Sequence, residues 1–186
     1  DRVMSFRGAP FERALLFAFL AKNYLAQANW DYAAICARNI IRRLDNLDGF
    51  PDIPYARYLA GFCLELINDQ GNAAIQYKTI AKLLPDLALD EKTGRFTPRG
   101  QKPDRPVQAD PAWTGELVCF VLSGRIPAGE AANIRPSASA PAPADIYHGN
   151  RYLGSSVLLA DTADLLAATA KRQMAIDLAK TAARVA

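Results

Sequence analysis

"ARYLAGFCLELINDQGNAAIQYKTIAKLLP", residues 56–85, decides how the rest of the chain is read. It holds two apolar helical patterns broken by the polar "NDQGN", with Gly61, Ala73, Tyr77 and Pro85 at regular spacing. Small residues let two helices approach, large ones fill the space around the crossing, and proline ends the second helix. If Gly61 is counted as the eighth residue of a helix–turn–helix unit, Leu64 is the eleventh, Ala73 the twentieth, Tyr77 the twenty-fourth, Ile80 the twenty-seventh and Pro85 the thirty-second.

The same frame fits an earlier stretch. Phe17 takes the fourth place, Leu20 the seventh, Ala21 the eighth and Tyr24 the eleventh, followed by Ala33, Ala37 and Ile40 at the twentieth, twenty-fourth and twenty-seventh. These are the places where the tetratricopeptide pattern of about 34 residues requires small, large and small-to-medium side chains. Ala33 and Ala73 are 40 residues apart (73 − 33), and the surplus over one period matches the turn-rich connection "NLDGFPDIP". Two hairpins are too few for a solenoid, because each end exposes surface shaped for a neighbour. Something else in the chain is expected to cover them.

Around this pair the periodicity predicts four helices. The first starts at Pro10, whose missing N–H suits a first turn, and stacks Phe11, Leu15, Ala18, Phe19, Tyr24 and Leu25 on one face. "QANWD" interrupts it, and Asn29 or Asp31 is a candidate cap for a second helix over 31–44. The third starts near Pro54, and the fourth runs over 71–84 and stops at Pro85.

After Pro85 the character changes. Residues 88–112 are polar and carry Pro98, Pro103, Pro106 and Pro111, which predicts a loop or linker. The apolar run 117–122, "LVCFVL", closed by Ser123-Gly124, predicts a buried strand. "PSASAPAPA" at 136–144 is too rich in proline and small residues for regular structure. A further short strand is predicted around 156–159, and the Ala-rich tail from Thr162 reads as one helix, or as two broken near Lys171, that caps the repeats. The predicted fold class is mainly α, α+β overall: two tetratricopeptide-like helical hairpins over 10–87, a proline-punctuated linker over 88–115, and a small α/β segment over 116–186 ending in the capping helix.

Composition narrows the function classes. With 186 residues, 51% of them apolar and 22% charged, the chain is globular and has room for one sizeable domain or two small ones. A formal charge of +3 gives no long-range attraction to nucleic acid. Lys92, Arg95, Arg99, Lys102 and Arg105 bunch between prolines, as on a solvated loop. Cys36, Cys63 and Cys119 cannot all pair within one chain, and Cys36 and Cys63 fall in apolar patterns where a free thiol acts as a small hydrophobe. With no C-x-x-C and a single histidine, no zinc site is indicated, and no cofactor is implied. No apolar run reaches the roughly 18 residues of a membrane span.

Candidates for chemistry are few. His148, in "DIYHGN" beside Asp145, would need Ser123 or Cys119 brought to it to act as a hydrolase base, and no G-x-S-x-G elbow accompanies them. The glycines form no phosphate-binding loop. Asp45, Asp48 and Asp52 cluster between the hairpins without calcium-loop spacing, and are expected to keep that turn soluble. Asp161 and Asp164 are placed to cap or complement the final helix. Arg38, Arg42 and Arg43 suit the C-terminal end of the second helix. The first helices of tetratricopeptide hairpins line a groove, which makes Lys22, Asn23, Arg57, Tyr58 and Glu65 the candidate partner-binding residues. No catalytic and no metal-binding residue is expected.

The order of segments supplies one further indication. "PFERALLFAFLAKNYLAQANWDYAAICARNIIRRLD", "YARYLAGFCLELINDQGNAAIQYKTIAKLLPD" and "GELVCFVLSGRIPAGEAANIRPSA", closed by "SSVLLADTADLLAATAKRQMAIDLAKTAARVA", together resemble an uncharacterised family of bacterial envelope lipoproteins. The likeness extends over most of 10–186. It implies a periplasmic protein, anchored to the outer membrane through a lipid upstream of Asp1, that serves as a scaffold part of an envelope complex. Its partners would be other proteins of that complex or further copies of itself, with no nucleic acid and no membrane contact beyond the anchor. The alternatives are a hydrolase of an envelope polymer using His148, and a carrier of a small apolar ligand, which would need an apolar cavity between the repeats and the last helix.

Overall fold

The turns joining the helices carry the repeat most plainly. In the computed structural model, which describes residues 10–98, 117–122 and 143–185, helices α1 (Pro10–Ala26) and α2 (Trp30–Leu44) form one hairpin. Helices α3 (Pro54–Leu66) and α4 (Gln70–Leu83) form the next. In the first turn the Asn29 N–H donates to the Tyr24 carbonyl at 2.9 Å and the Ala28 N–H to Leu25 at 3.0 Å. Forty residues on, Asp69 donates to Leu64 at 2.9 Å and Asn68 to Glu65 at 2.8 Å. Both are helix ends closed by a left-handed residue, with Ala28 at φ 54° and Asn68 at φ 64°. Asn29 also caps α2, its side chain accepting from the Tyr32 N–H at 3.3 Å.

The hairpins stack in order. α1 packs on α2, α2 on α3 and α3 on α4, and α1 also touches α3. The frame positions Ala21, Ala33, Ala37, Ile40, Leu64, Ala73, Tyr77 and Ile80 are all buried. Leu20 departs from the pattern at 37% exposure, and so do its neighbours Leu16 (58%) and Phe19 (53%). Their equivalents in the second hairpin, Ala56, Leu59 and Ala60, are each 0% exposed. α2 covers α3, but among the described residues no hairpin precedes α1.

At the far end the chain supplies its own cover. Where a loop is expected from residue 88 onward, β1 (Leu87–Leu89) and β2 (Phe96–Pro98) form an antiparallel hairpin that packs on α4. Its turn is built by Asp90, whose carboxylate accepts the Lys92 and Thr93 amides at 2.8 and 2.9 Å. These amide bonds, the Thr93 one first, hold its pKa below the ordinary value. Proline spacing signalled a break in helix there but concealed the two short strands between.

The remaining elements are β3 (Asp145–His148), β4 (Arg151–Ser155) and α5 (Thr162–Val185). β3 and β4 pair antiparallel with an irregularity at Ile146/Tyr147, so the predicted strand at 156–159 lies a few residues earlier. α5 is a single helix, unbroken at Lys171, and Asp161 accepts the Ala163 N–H at 2.8 Å at its start. Leu165 enters the core with Ala160 and Leu166 beside it. Further along α5, Arg172 donates to the Asp48 carbonyl through Nε and Nη2 at 3.0 and 2.7 Å, tying the helix to the loop between hairpins. No helix among the described residues is long and apolar enough to cross a membrane. The proline-rich stretches over 99–112 and 136–142 lie outside the described residues.

Candidate functional site

Three aromatic residues on α3, Tyr55, Tyr58 and Phe62, recur at i, i+3 and i+7 and therefore share one face. Against that face sits Phe120. Its ring meets Tyr55 edge-on at 6.1 Å between centroids, Tyr58 at 6.1 Å and Phe62 at 5.8 Å. Edge-to-face geometry at these separations is the favoured arrangement for aromatic quadrupoles. Residues 117–122, predicted as a buried strand, are not one. They pair with no strand among the described residues, and Leu117, Val121 and Leu122 are exposed. An apolar β-branched run becomes a buried strand only where a neighbouring strand takes up its backbone groups. Here Phe120 alone of the segment joins the core.

Tyr58 is the hub of the cluster. Its ring lies 5.6 Å from Tyr77 and 4.9 Å from Phe96, and its hydroxyl donates to the Gly94 carbonyl at 3.0 Å. Tyr77 stands beneath, between two glycines. A Cβ on Gly61 would fall 2.7 Å from its ring, and one on Gly94, which has φ +66°, would fall 2.6 Å from it. The Tyr77 hydroxyl donates to Glu65 at 2.8 Å. Burial, reinforced by that bond to Glu65, drives the Tyr77 pKa far above its ordinary value. Tyr55 differs, since its hydroxyl is buried without a hydrogen-bond partner among the described residues, and burial raises its pKa too.

The five sequence candidates separate. Tyr58 lies in the aromatic site and Glu65 at its edge, holding Tyr77. Lys22 and Asn23 are on α1, where the Lys22 ammonium stands 5.6 Å over the Phe19 ring and Asn23 is exposed. Arg57, expected on a ligand-facing surface, is 5% exposed and turned inward. Its Nε donates to both Asp52 oxygens at 2.9 and 2.8 Å, Nη1 to Gln76 at 2.9 Å and Nη2 to the Leu44 carbonyl at 3.2 Å. Asp45 lies within 3.4 Å of the same guanidinium. Asp45 and Asp52, read as solubilising, thus pin Arg57 across both hairpins. A buried arginine needs this number of acceptors to offset its lost hydration. Tyr55, Phe62 and Phe120 were missed, although the i, i+3, i+7 spacing of aromatics on α3 was visible.

His148 is exposed at the turn end of β3, in register with Arg151. Ser155 hydrogen-bonds Asp145 at 2.6 Å at the opposite end of the same hairpin. Three residue steps of strand lead from Asp145 to His148, about 10 Å, so the hairpin does not bring Ser155 to the histidine. Cys119 is exposed and Ser123 lies outside the described residues. Among the described residues no group of three or more His, Cys, Asp or Glu side chains is placed to hold a metal ion. A cleft of about 320 Å³ on the first hairpin is lined by Arg13, Arg42, Arg43 and Asn46, a basic lining rather than an apolar one. Comparison of the chain with protein families, with curated proteins and with solved structures finds no match.

Proposed function

We propose that the chain is a non-enzymatic interaction or scaffold protein that holds other proteins against the aromatic face of α3. One observation carries this reading: a preformed array of three aromatic side chains on a rigid helix already seats an aromatic ring from an irregular segment. Aromatic anchors in such seats dominate the energetics of protein–protein contacts, and helices that are rigid beforehand reduce the ordering cost of binding. The bacterial-envelope setting, with export and an outer-membrane lipid anchor, rests on the resemblance of residues 10–186 alone. Other proteins of that assembly, or copies of this chain, are the partners it implies.

The test is site-specific photocrosslinking in intact cells. A benzoylphenylalanine at Leu66 stands one turn beyond Phe62 and is 40% exposed in the natural chain. One at Ile75, on α4 and 58% exposed, is the control. Adducts at position 66 and none at 75 are expected, with crosslinking mass spectrometry of envelopes identifying the partner. Recovery of the chain as free monomer without adducts at either position counts against the reading.

A further inference from the structure

We propose that residues 117–122 are an internal ligand: the α3 site takes an apolar peptide segment with an aromatic anchor, and Phe120 occupies it in cis. This rests on the interaction reading above and names the class of partner.

Three features of the seat support exchange over permanent packing. The first is how little holds the segment. Phe120 contributes the ring, Leu117, Val121 and Leu122 stand 69%, 45% and 56% exposed, and no hydrogen bond among the described residues ties 117–122 to the helices. A core strand would be held by a ladder of backbone bonds and by alternate side chains. The second is the Tyr55 hydroxyl, buried at the site and without a hydrogen-bond partner among the described residues. An unsatisfied buried donor carries a penalty that a better ligand removes. A partner segment that brings a carbonyl or carboxylate oxygen to Tyr55 Oη along with its ring therefore competes on better terms than the cis segment. The third is that one wall of the seat is held independently of its occupant. Tyr58 is fixed from behind by Gly94, Phe96 and Tyr77, so the ring that contacts Phe120 keeps its place when Phe120 leaves. The site's apparent affinity for an outside peptide is then lowered by the fraction of time the cis segment fills it.

The measurement is fluorescence anisotropy of a labelled peptide with the sequence of residues 116–123, serine replacing Cys119. It is titrated with the full chain as wild type, Phe120→Ala, Phe120→Leu, and Phe120→Ala combined with Phe62→Ala. Removing the cis ring is expected to tighten peptide binding by about tenfold or more. Phe62→Ala should undo that gain, and replacing the peptide's phenylalanine by alanine should abolish binding. Circular dichroism establishes that each variant is folded. Folded Phe120→Ala and Phe120→Leu chains that bind no tighter than wild type overturn the proposal. Unfolding of both variants overturns it as well, because a side chain the fold cannot lose is not an exchangeable ligand. Adducts at position 66 in cells without the peptide gain would leave the interaction role standing and remove only this inference.

Discussion

Gly61 and Tyr77 show how a single position is decided by its partner across the hairpin. In the first hairpin the equivalent pair is Ala21 and Ala37, both 0% exposed. There the facing side chain is a methyl group, and a Cβ at Ala21 is accommodated. In the second hairpin the facing residue is a tyrosine whose ring stands where a Cβ on Gly61 would be, 2.7 Å away. The glycine and the tyrosine are two halves of one packing solution. Gly61→Ala alone is expected to cost about 1–3 kcal/mol, because Tyr77 is backed by Gly94 and fixed by Glu65 and cannot retreat freely. Tyr77→Ala alone is expected to cost about 3–5 kcal/mol. The double variant should be at least about 1 kcal/mol more stable than their sum, because the second change removes the clash made by the first. Urea unfolding of the four proteins measures the cycle, and simple additivity would refute the pairing. The small-and-large logic was legible from sequence because it repeats. Arg57 was not. An arginine on a helix face is most often solvated, and its acceptors are brought in from Asp45, Asp52 and Gln76 by tertiary packing that periodicity does not report.

At the scale of the helical hairpin, the two turns make the same hydrogen bonds with unequal residues. Asn68 tolerates a left-handed backbone, whereas Ala28, at φ 54°, pays for its Cβ there. Ala28→Gly is expected to stabilise the protein by about 1 kcal/mol, with thermal or urea unfolding as the readout, while Asn68→Ala should move stability by a similar amount in the opposite direction. Element boundaries followed the sequence closely in this region, because helix starts and stops are set by local groups: Pro10, Asn29, Pro54 and Pro85. Where an element depends on a distant partner the sequence was a poorer guide. The run at 117–122 has the composition of a strand and, among the described residues, no strand beside it. The short β1–β2 hairpin has proline and charge in its surroundings and still forms, because Gly94 can approach Tyr77. An apolar pattern marks a residue as suited to burial, but burial follows only where the fold supplies a surface to meet it.

For the molecule as a whole, the continuous core makes alkaline pH a global stress. Cys63 is fully buried, and desolvation, with the neighbouring Cys36 adding to it, pushes its thiol from 9.0 up to about 12. The folded pKa is raised above the unfolded one, so the folded state favours the neutral thiol. That contribution is complete below pH 9 and is lost as pH rises through the folded value near 12. The urea midpoint is therefore expected to stay level up to pH 9 and then to fall toward pH 12. Cys63→Ala should fall less steeply, although Tyr77, shifted in the same direction, keeps some of the slope. An unchanged slope in that variant would show that the alkaline loss arises elsewhere.

The two ends of the stack also differ in kind. The α4 end is closed by a hairpin whose Gly94 locks against Tyr77, while the α1 end presents Leu16, Phe19 and Leu20 at the positions that α2 covers on α3. The stack therefore has a direction in which it can be lengthened. A consensus hairpin spliced ahead of α1 would meet a surface already shaped for it, whereas one spliced after Leu83 would first have to displace a finished lid. Repeat number in this architecture is thus open to change from one side only, by insertion before the first helix.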